Sequence, residues 1–142
     1  MNLNGASPLI WVIDDDDIHN YVMRHLLNLT RVNCKSEVFG EAVAATEKIK
    51  KLPIADLPEI ILLDINMPVM NAWDFLDTLK MIAPQPLPVT RIYLLSSSVY
   101  EKDIAKAKEY PAIYGYLTKP VSLVTLDDVI GDTLPPAFVH NS

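Results

Sequence analysis

Cysteine and glycine are scarce in this sequence, and long apolar runs are absent. Of its 142 residues, one is cysteine and four are glycine. A single cysteine excludes an intrachain disulfide and a multi-cysteine metal site, so we expect Cys34 to be a small buried apolar residue. No apolar run approaches the roughly 20 residues that span a bilayer. Residues 1–5 lack the basic region and apolar core of a signal peptide, so we expect a soluble cytoplasmic protein.

The sequence also lacks an excess of positive charge. Lys and Arg number 12 against 18 Asp and Glu, which gives a formal net charge of −6. An acidic surface argues against a nucleic-acid backbone or an anionic membrane as the main partner, so we expect no direct DNA binding. Half of the residues are apolar (50%), which is enough for one core. The length predicts one domain, residues 8–134, between terminal tails at 1–7 and 135–142.

Short apolar runs alternate with stretches of helical periodicity and predict strands and helices in turn. The predicted strands are residues 9–13, 34–39, 60–63, 89–95 and 113–117. The first helix is marked by apolar residues at helical spacing after a capping Asp17, namely Ile18, Val22, Leu26 and Leu29. The other helices are predicted near residues 42–49, 72–82, 101–109 and 123–134. Pro84, Pro86 and Pro88 predict a stiff linker, and residues 137–142 a frayed tail.

Strict alternation of strands and helices predicts an α/β fold, with a parallel sheet between two layers of helices. In such sheets the functional crevice lies beyond the carboxyl ends of the strands. Polar side chains follow four of the predicted strands there: Asp14 and Asp15, then Asp64, Ser96 and Lys119. Carboxylates gathered at one edge need a cation, a shared proton or strong solvation. Oxygen ligands favour magnesium and disfavour zinc.

The same residues suit phosphoryl transfer. An aspartate can attack phosphorus to form an acyl phosphate, and the transferring group is stabilised mainly by positioning and electrostatics. Magnesium, the Lys119 ammonium and the Ser96 hydroxyl supply one candidate for each of the three peripheral oxygens. Simpler interpretations stay open for each residue alone. Asp14–Asp17 fits a solvated acidic loop and Ser96–Ser98 a polar turn, and the histidines (His19, His25 and His140) are expected at the surface or on a helix face.

Four segments, in order along the chain, carry a family resemblance: residues 11–16 (WVIDDD), 61–70 (ILLDINMPVM), 94–98 (LLSSS) and 115–120 (GYLTKP). With them, residues 8–133 resemble the receiver domains of bacterial two-component response regulators, the CheY-like family. The resemblance implies a (βα)5 flavodoxin-like three-layer sandwich with the strand order 2-1-3-4-5. Because the chain ends soon after the last predicted helix, we expect a stand-alone receiver without a fused output domain.

The resemblance implies a role for each matching position. Asp64 falls on the phosphoacceptor, Lys119 on the conserved lysine with a cis bond to Pro120, and Ser96 on the hydroxyl that contacts the phosphoryl group. Tyr116 falls on the aromatic switch. The implied magnesium site, which also suits Mn²⁺, consists of Asp14 acting largely through water, Asp15, Asp64 and the backbone carbonyl of Asn66. Asn66 and Ser98 fall on the positions that tune the phosphoryl lifetime.

The resemblance also implies partners and a mechanism. A sensor histidine kinase or a histidine phosphotransfer protein donates the phosphoryl group, and slow autodephosphorylation removes it. Ser96 then moves, the Tyr116 ring turns inward, and the face made by the fourth helix, fifth strand and fifth helix changes, for a downstream protein or a dimer. Asn71-Ala72 replaces the Asp-Gly often found in the family, so we expect altered loop dynamics.

Two other functions are compatible with parts of this pattern. A phosphatase with an aspartate nucleophile, like the haloacid dehalogenases, needs a second aspartate two residues later, where this chain has Asn66. A phosphorylation-independent interaction module on the same fold remains an alternative.

Overall fold

Uninterrupted apolar runs form the central strands of a parallel sheet, because such strands are buried on both faces. The computed structural model describes residues 7–83 and 90–140. The strands are β1 (Leu9–Ile13), β2 (Lys35–Phe39), β3 (Ile60–Asp64), β4 (Arg91–Ser96), β5 (Ile113–Thr118) and β6 (Val139–His140). Their order is β2-β1-β3-β4-β5-β6, with every pairing parallel. The predicted order is confirmed, with one short strand added at the edge.

Helices connect the first five strands and cover two hydrophobic cores. They are α1 (Asp17–Leu27), α2 (Ala42–Lys51), α3 (Ala72–Ile82), α4 (Glu101–Ala107) and α5 (Leu123–Gly131), with a short 3-10 turn at Ile54–Asp56. Neighbouring residues of β3 alternate between the cores, since side chains along a strand point to opposite faces. Ile61 and Leu63 pack in one core with α2 and α3, whereas Ile60 and Leu62 pack in the other with α1 and α5.

The first helix forms as predicted, but its predicted cap and apolar face are wrong. Its N-cap is Asp16, one residue before Asp17, and the Asp16 side chain accepts hydrogen bonds from two helical N–H groups. Ile18 and Leu29 are 78% and 64% exposed. The inward stripe instead runs through His19, Asn20, Met23 and Leu27. His19 and Asn20 of this stripe hydrogen-bond to Asp14, which favours placing this side of the helix against the sheet.

The predicted frayed tail is also wrong over the residues that the structure describes. Val139 and His140 form β6 against β5, and the Tyr116 N–H donates to the Phe138 carbonyl at 2.8 Å. Phe138 and Val139 pack against the core that contains α2 and α3. Gly115 permits this approach, because a Cβ there would lie 3.1 Å from the Tyr93 ring and 3.4 Å from the Phe138 oxygen.

Several predicted boundaries differ slightly from the structure. Within the described residues β4 begins at Arg91, whereas the predicted start at Val89 and the proline linker at 84–88 lie outside them. The fourth helix ends at Ala107, two residues before the predicted end, and the fifth ends at Gly131. Cys34 is only half-buried, and burial raises the pKa of its thiol. Among the helices of the described ranges, none has the length and apolarity to cross a membrane.

Candidate functional site

The sheet brings the predicted site residues together at the carboxyl ends of its central strands. Asp14 follows β1, Asp64 ends β3, Ser96 ends β4 and Lys119 follows β5. Asp14, Asp64 and Ser96 are 0%, 5% and 1% exposed, although all three are polar. A buried polar group is costly unless it is hydrogen-bonded or paired, so the contacts among these side chains determine what the site can do.

Lys119 is held mainly by Asp14. Its ammonium Nζ lies 2.9 Å from Asp14 Oδ2 and 3.1 Å from Oδ1, but 3.5 Å from Asp64 Oδ2. The lysine is therefore placed between two carboxylates and contacts one of them more closely. It offsets part of the repulsion between these two negative charges.

Asp14 receives two further hydrogen bonds from the start of α1. The Asp16 N–H donates to Asp14 Oδ1 at 2.9 Å, and His19 Nδ1 lies 2.9 Å from Asp14 Oδ2. The Asn20 side-chain amide donates to the Asp14 backbone carbonyl at 2.8 Å. Of the two positions expected for His19, the surface or a helix face, the structure shows the second: it lies on the inward face of α1 and is 6% exposed. Its spacing to Met23 and Leu27 on the inward stripe was the only sequence signal for this burial.

Asp64 has fewer and longer contacts than Asp14. Besides Lys119, it accepts a hydrogen bond at 3.4 Å from the Asn66 N–H, which places the Asn66 backbone beside the carboxylate. Burial, followed by the negative charge of Asp14, raises the pKa of Asp64 from 3.8 to about 7. Burial also acts on Asp14, but its hydrogen bonds from His19, Asp16 and Lys119 outweigh this and lower its pKa. For Lys119, burial is outweighed by the two carboxylates, and its pKa is raised.

Three carboxylates at this edge could hold a cation. One oxygen each from Asp14, Asp15 and Asp64 lie within 4.8 Å of one another. Asp15 is exposed, so water has access to this side of the cluster. An oxygen-only donor set that leaves room for waters fits Mg²⁺ or Mn²⁺, since hard cations prefer oxygen ligands and Mg²⁺ keeps several of its waters.

The predicted switch residues meet at one backbone carbonyl. Ser96 Oγ donates to the Ser98 carbonyl at 2.6 Å, and the Tyr116 hydroxyl donates to the same oxygen at 2.9 Å. The Tyr116 ring is fully buried, so it already has the inward position that the family resemblance reserves for the phosphorylated state. The Lys119 N–H donates to the Ser96 carbonyl at 2.8 Å, and the expected cis Lys119–Pro120 bond is present.

The loop between β3 and α3 is tightly folded. Val69 has a φ of 69°, and the Met70 N–H donates to the Pro68 carbonyl at 2.8 Å across it. A β-branched residue in the left-handed region is strained. Asn71, which replaces the usual aspartate, caps α3 in a reciprocal pair of hydrogen bonds with Asp74. The start of α3 is therefore capped on both sides of this pair.

The chain matches a known protein-family model over most of its length. The model of the response regulator receiver domain matches residues 10–131. The chain belongs to the response regulator receiver domain family. Two-component signalling therefore provides the context of the site, and the family role is that of a signalling phosphoacceptor.

Individual relatives agree with this assignment. The receiver domain is 31% identical over 134 residues to the autoinducer 1 sensor kinase/phosphatase LuxN of Vibrio campbellii, covering 94% of this chain and 14% of that protein. It is 33% identical over 131 residues to a protein-glutamate methylesterase/protein-glutamine glutaminase of Pyrococcus abyssi, covering 89% of this chain and 32% of that protein. The chain thus spans a third or less of either protein.

Solved structures show the same fold. A two-component response regulator from Cytophaga hutchinsonii superposes with a TM-score of 0.79 at 30% identity, covering 90% of this chain and 98% of that one. The chemotaxis protein CheY4 of Vibrio cholerae superposes with a TM-score of 0.71 at 24% identity, covering 91% and 100%. At the latter identity the likeness concerns the fold alone.

Proposed function

We propose that this receiver domain accepts a phosphoryl group on Asp64, in a Mg²⁺-dependent reaction, from a sensor histidine kinase or a histidine phosphotransfer protein. The observation that carries the proposal is the difference between the two buried carboxylates. Asp14 is engaged by three donors, from Asp16, His19 and Lys119. The hydrogen bond of Asp64 with the Asn66 N–H and its ion pair with Lys119 are longer, 3.4 Å and 3.5 Å, so its carboxylate is held less tightly than that of Asp14 and is the better candidate for attack on phosphorus.

The transfer exchanges one bond to phosphorus for another. An oxygen of Asp64 forms a bond to phosphorus as the phosphorus–nitrogen bond of the donor phosphohistidine breaks, and the electron pair returns to the imidazole. Asp14, Asp15, Asp64 and the Asn66 carbonyl would hold Mg²⁺, which supplies positive charge to the phosphoryl oxygens. Lys119 is within reach of Asp64 and stabilises a second oxygen, and the Ser96 hydroxyl a third. Ser98 and Asn66 are proposed to set the lifetime of the acyl phosphate.

The proposed switch starts from the shared Ser98 carbonyl. When the Ser96 hydroxyl turns to a phosphoryl oxygen, the Ser98 carbonyl loses one of its two donors and keeps the Tyr116 hydroxyl. Because the Tyr116 ring is already inside, the change is expected in the backbone of residues 96–100 and in α4, with no rotation of the ring. α4 packs weakly, with Ala107 as its only fully buried residue.

Partner surfaces follow from exposed apolar residues and from the sheet edge. A cavity of about 340 Å³ beside the site is lined by Ile18, Val22, Ser97 and Lys119, among others. We propose that the phosphohistidine donor approaches there, since exposed apolar residues next to a polar site favour protein contact. The sensor kinase/phosphatase LuxN, which contains a similar region, supports a kinase as donor. We also propose the face of α4, β5 and α5 for dimers. In this structure β6 pairs with the outer edge of β5 and therefore forms part of that face.

The test is intact-protein mass spectrometry after incubation with acetyl phosphate, with and without Mg²⁺. Wild type should gain one phosphoryl group only with Mg²⁺, and Asp64→Asn should gain none. Asp56→Asn, which changes an exposed carboxylate in the turn before β3, is the matched control and should behave as wild type. If neither acetyl phosphate nor a phosphorylated histidine phosphotransfer domain labels wild type, the phosphorylation-independent interaction module becomes the better function.

A further inference from the structure

His19 makes a buried contact with Asp14 that has no part in the phosphoryl transfer proposed above. Its Nδ1 lies 2.9 Å from Asp14 Oδ2, and the side chains are 6% and 0% exposed. A carboxylate only accepts hydrogen bonds, so Nδ1 carries the proton and donates it. The other ring nitrogen, Nε2, is buried without a partner among the described residues. The His19 ring therefore donates its hydrogen bond to the oxygen that Lys119 also contacts.

The contact between His19 and Asp14 matters most when Lys119 leaves Asp14 during the proposed reaction. In the structure Lys119 Nζ lies closer to Asp14 than to Asp64. Once Asp64 carries a phosphoryl group, the lysine is needed there. Asp14 then keeps two of its three side-chain donors, the Asp16 N–H on Oδ1 and His19 on Oδ2. With one donor on each oxygen, the plane of the carboxylate stays fixed.

Fixing this plane matters for a hard cation, because Mg²⁺ demands near-ideal octahedral geometry. Mutating a partner that orients a metal ligand from outside the first coordination sphere typically weakens metal affinity about 10- to 100-fold. The start of α1 is well placed for this purpose. Asn20 donates to the Asp14 backbone carbonyl, so two successive residues of the helix hold both the main chain and the side chain of Asp14.

We propose that His19 is a positioning residue for Mg²⁺ at Asp14. Its Nδ1–H donates to Asp14 and keeps the Asp14 carboxylate oriented toward the cation after Lys119 moves to the phosphoryl group. The inference rests on the proposed function for the identity of the metal site. The competing explanation is that His19 merely fills the core beneath α1.

The first experiment measures the Mg²⁺ dissociation constant by isothermal titration calorimetry at one fixed pH above neutrality. His19→Leu fills the buried position with an apolar side chain and removes the donor, and it should weaken Mg²⁺ binding about 10- to 100-fold. His19→Asn places an amide N–H near the position of Nδ1 and should restore most of the affinity. His25→Leu, at an exposed position of the same helix, is the matched control and should bind as wild type. Unchanged or tighter binding in His19→Leu would overturn the proposal.

A second measurement uses wild type alone and does not depend on whether a variant folds. The chain has three histidines, so the ring nitrogens of His19 can be assigned by long-range ¹H–¹⁵N NMR. The Nδ1–H tautomer should persist during a Mg²⁺ titration, and its ¹⁵N shift should change with the same midpoint as calorimetry. A His19 signal that does not respond to Mg²⁺ would contradict the proposal.

These measurements separate a failure of the positioning role of His19 from a failure of the proposed function. If wild type binds Mg²⁺ and is phosphorylated while His19→Leu is indistinguishable from it, only the positioning role is refuted. If wild type binds Mg²⁺ with the expected dependence on His19 but is never phosphorylated, the positioning role stands and the proposed function fails. If wild type does not bind Mg²⁺, both fail.

Discussion

Replacing Asp64 by asparagine should stabilise the folded protein at neutral and alkaline pH. Asp64 is 5% exposed and lies in a cluster with Asp14 and Asp15. Burial, followed by the negative charge of Asp14, raises the pKa of Asp64 from 3.8 to about 7. The fold therefore favours the neutral carboxyl group. Asparagine presents a neutral group of similar shape, so it should remove the unfavourable charge without leaving a cavity.

The sign and size of the effect follow from proton linkage. Below a pH of 3.8 the carboxyl group is protonated in both the folded and the unfolded protein. It then makes no pH-dependent contribution to the free energy of unfolding. As the pH rises, the unfolded chain loses this proton first, so stability falls until the folded state also ionises above about pH 7. A tenfold difference in proton affinity corresponds to about 1.4 kcal/mol. The whole shift corresponds to roughly 4 kcal/mol, and we expect Asp64→Asn to recover about 2–4 kcal/mol.

Urea denaturation monitored by tryptophan fluorescence measures this effect directly. Wild type and Asp64→Asn should differ little near pH ~4 and most near pH ~8. Asp56→Asn, at an exposed position, should not change the free energy of unfolding at either pH by more than about 0.5 kcal/mol. Mg²⁺ should stabilise wild type more than Asp64→Asn, because a ligand that binds only the folded state raises its stability.

Two outcomes would refute the reasoning. A variant no more stable than wild type near pH ~8 would mean that Asp64 is not destabilised by ionisation in the fold. A gain of equal size near pH ~4 would mean that the benefit comes from packing or the unfolded chain, and that the charge of Asp14 has no part in it.

Three further predictions concern the switch, the loop and the sheet edge. Tyr116→Phe removes the hydrogen bond to the Ser98 carbonyl and should lower the free energy of unfolding by about 0.5–1.5 kcal/mol, while acetyl phosphate still labels the protein in mass spectrometry. Val69→Gly relieves a left-handed backbone conformation and should raise the midpoint of urea denaturation, by about 1 kcal/mol in stability. Phe138→Ala should lower stability by about 1–2 kcal/mol, less than the 3–5 for a fully buried ring, and should increase dimerisation measured by light scattering if the edge of β5 becomes exposed.

Much of the fold and the site could be predicted because the relevant signals are local in sequence. Four of the five predicted strands are apolar runs that end where the structure ends them, within a residue, and the polar residues at their ends are those proposed for the site. A parallel sheet places the carboxyl ends of its strands together, so Asp14, Asp64, Ser96 and Lys119 needed no further information to be brought to one edge.

The errors concern features that depend on tertiary partners. Along α1 the apolar residues Ile18 and Val22 point to solvent and His19 points inward, because Asp14 offers the histidine a buried acceptor. Periodicity cannot detect this, since it counts hydrophobicity and not hydrogen bonds. β6 has two residues, too few to show any periodicity. It pairs with the free edge of β5, where the missing side chain of Gly115 leaves room for it.

The opposite pKa directions of the two buried aspartates also link metal binding to protonation. Asp14 keeps its charge because three donors hold it, whereas Asp64 has a pKa of about 7 and is close to half protonated at neutral pH. If a cation binds the cluster as proposed, it favours the ionised form of both carboxylates, so its binding should release the remaining proton from Asp64. In the proposed function the ionised carboxylate is also the nucleophile for phosphorus. We therefore expect cation binding to increase the fraction of Asp64 that can react, and this coupling should weaken as the pH rises above 7 and the free carboxylate is already ionised.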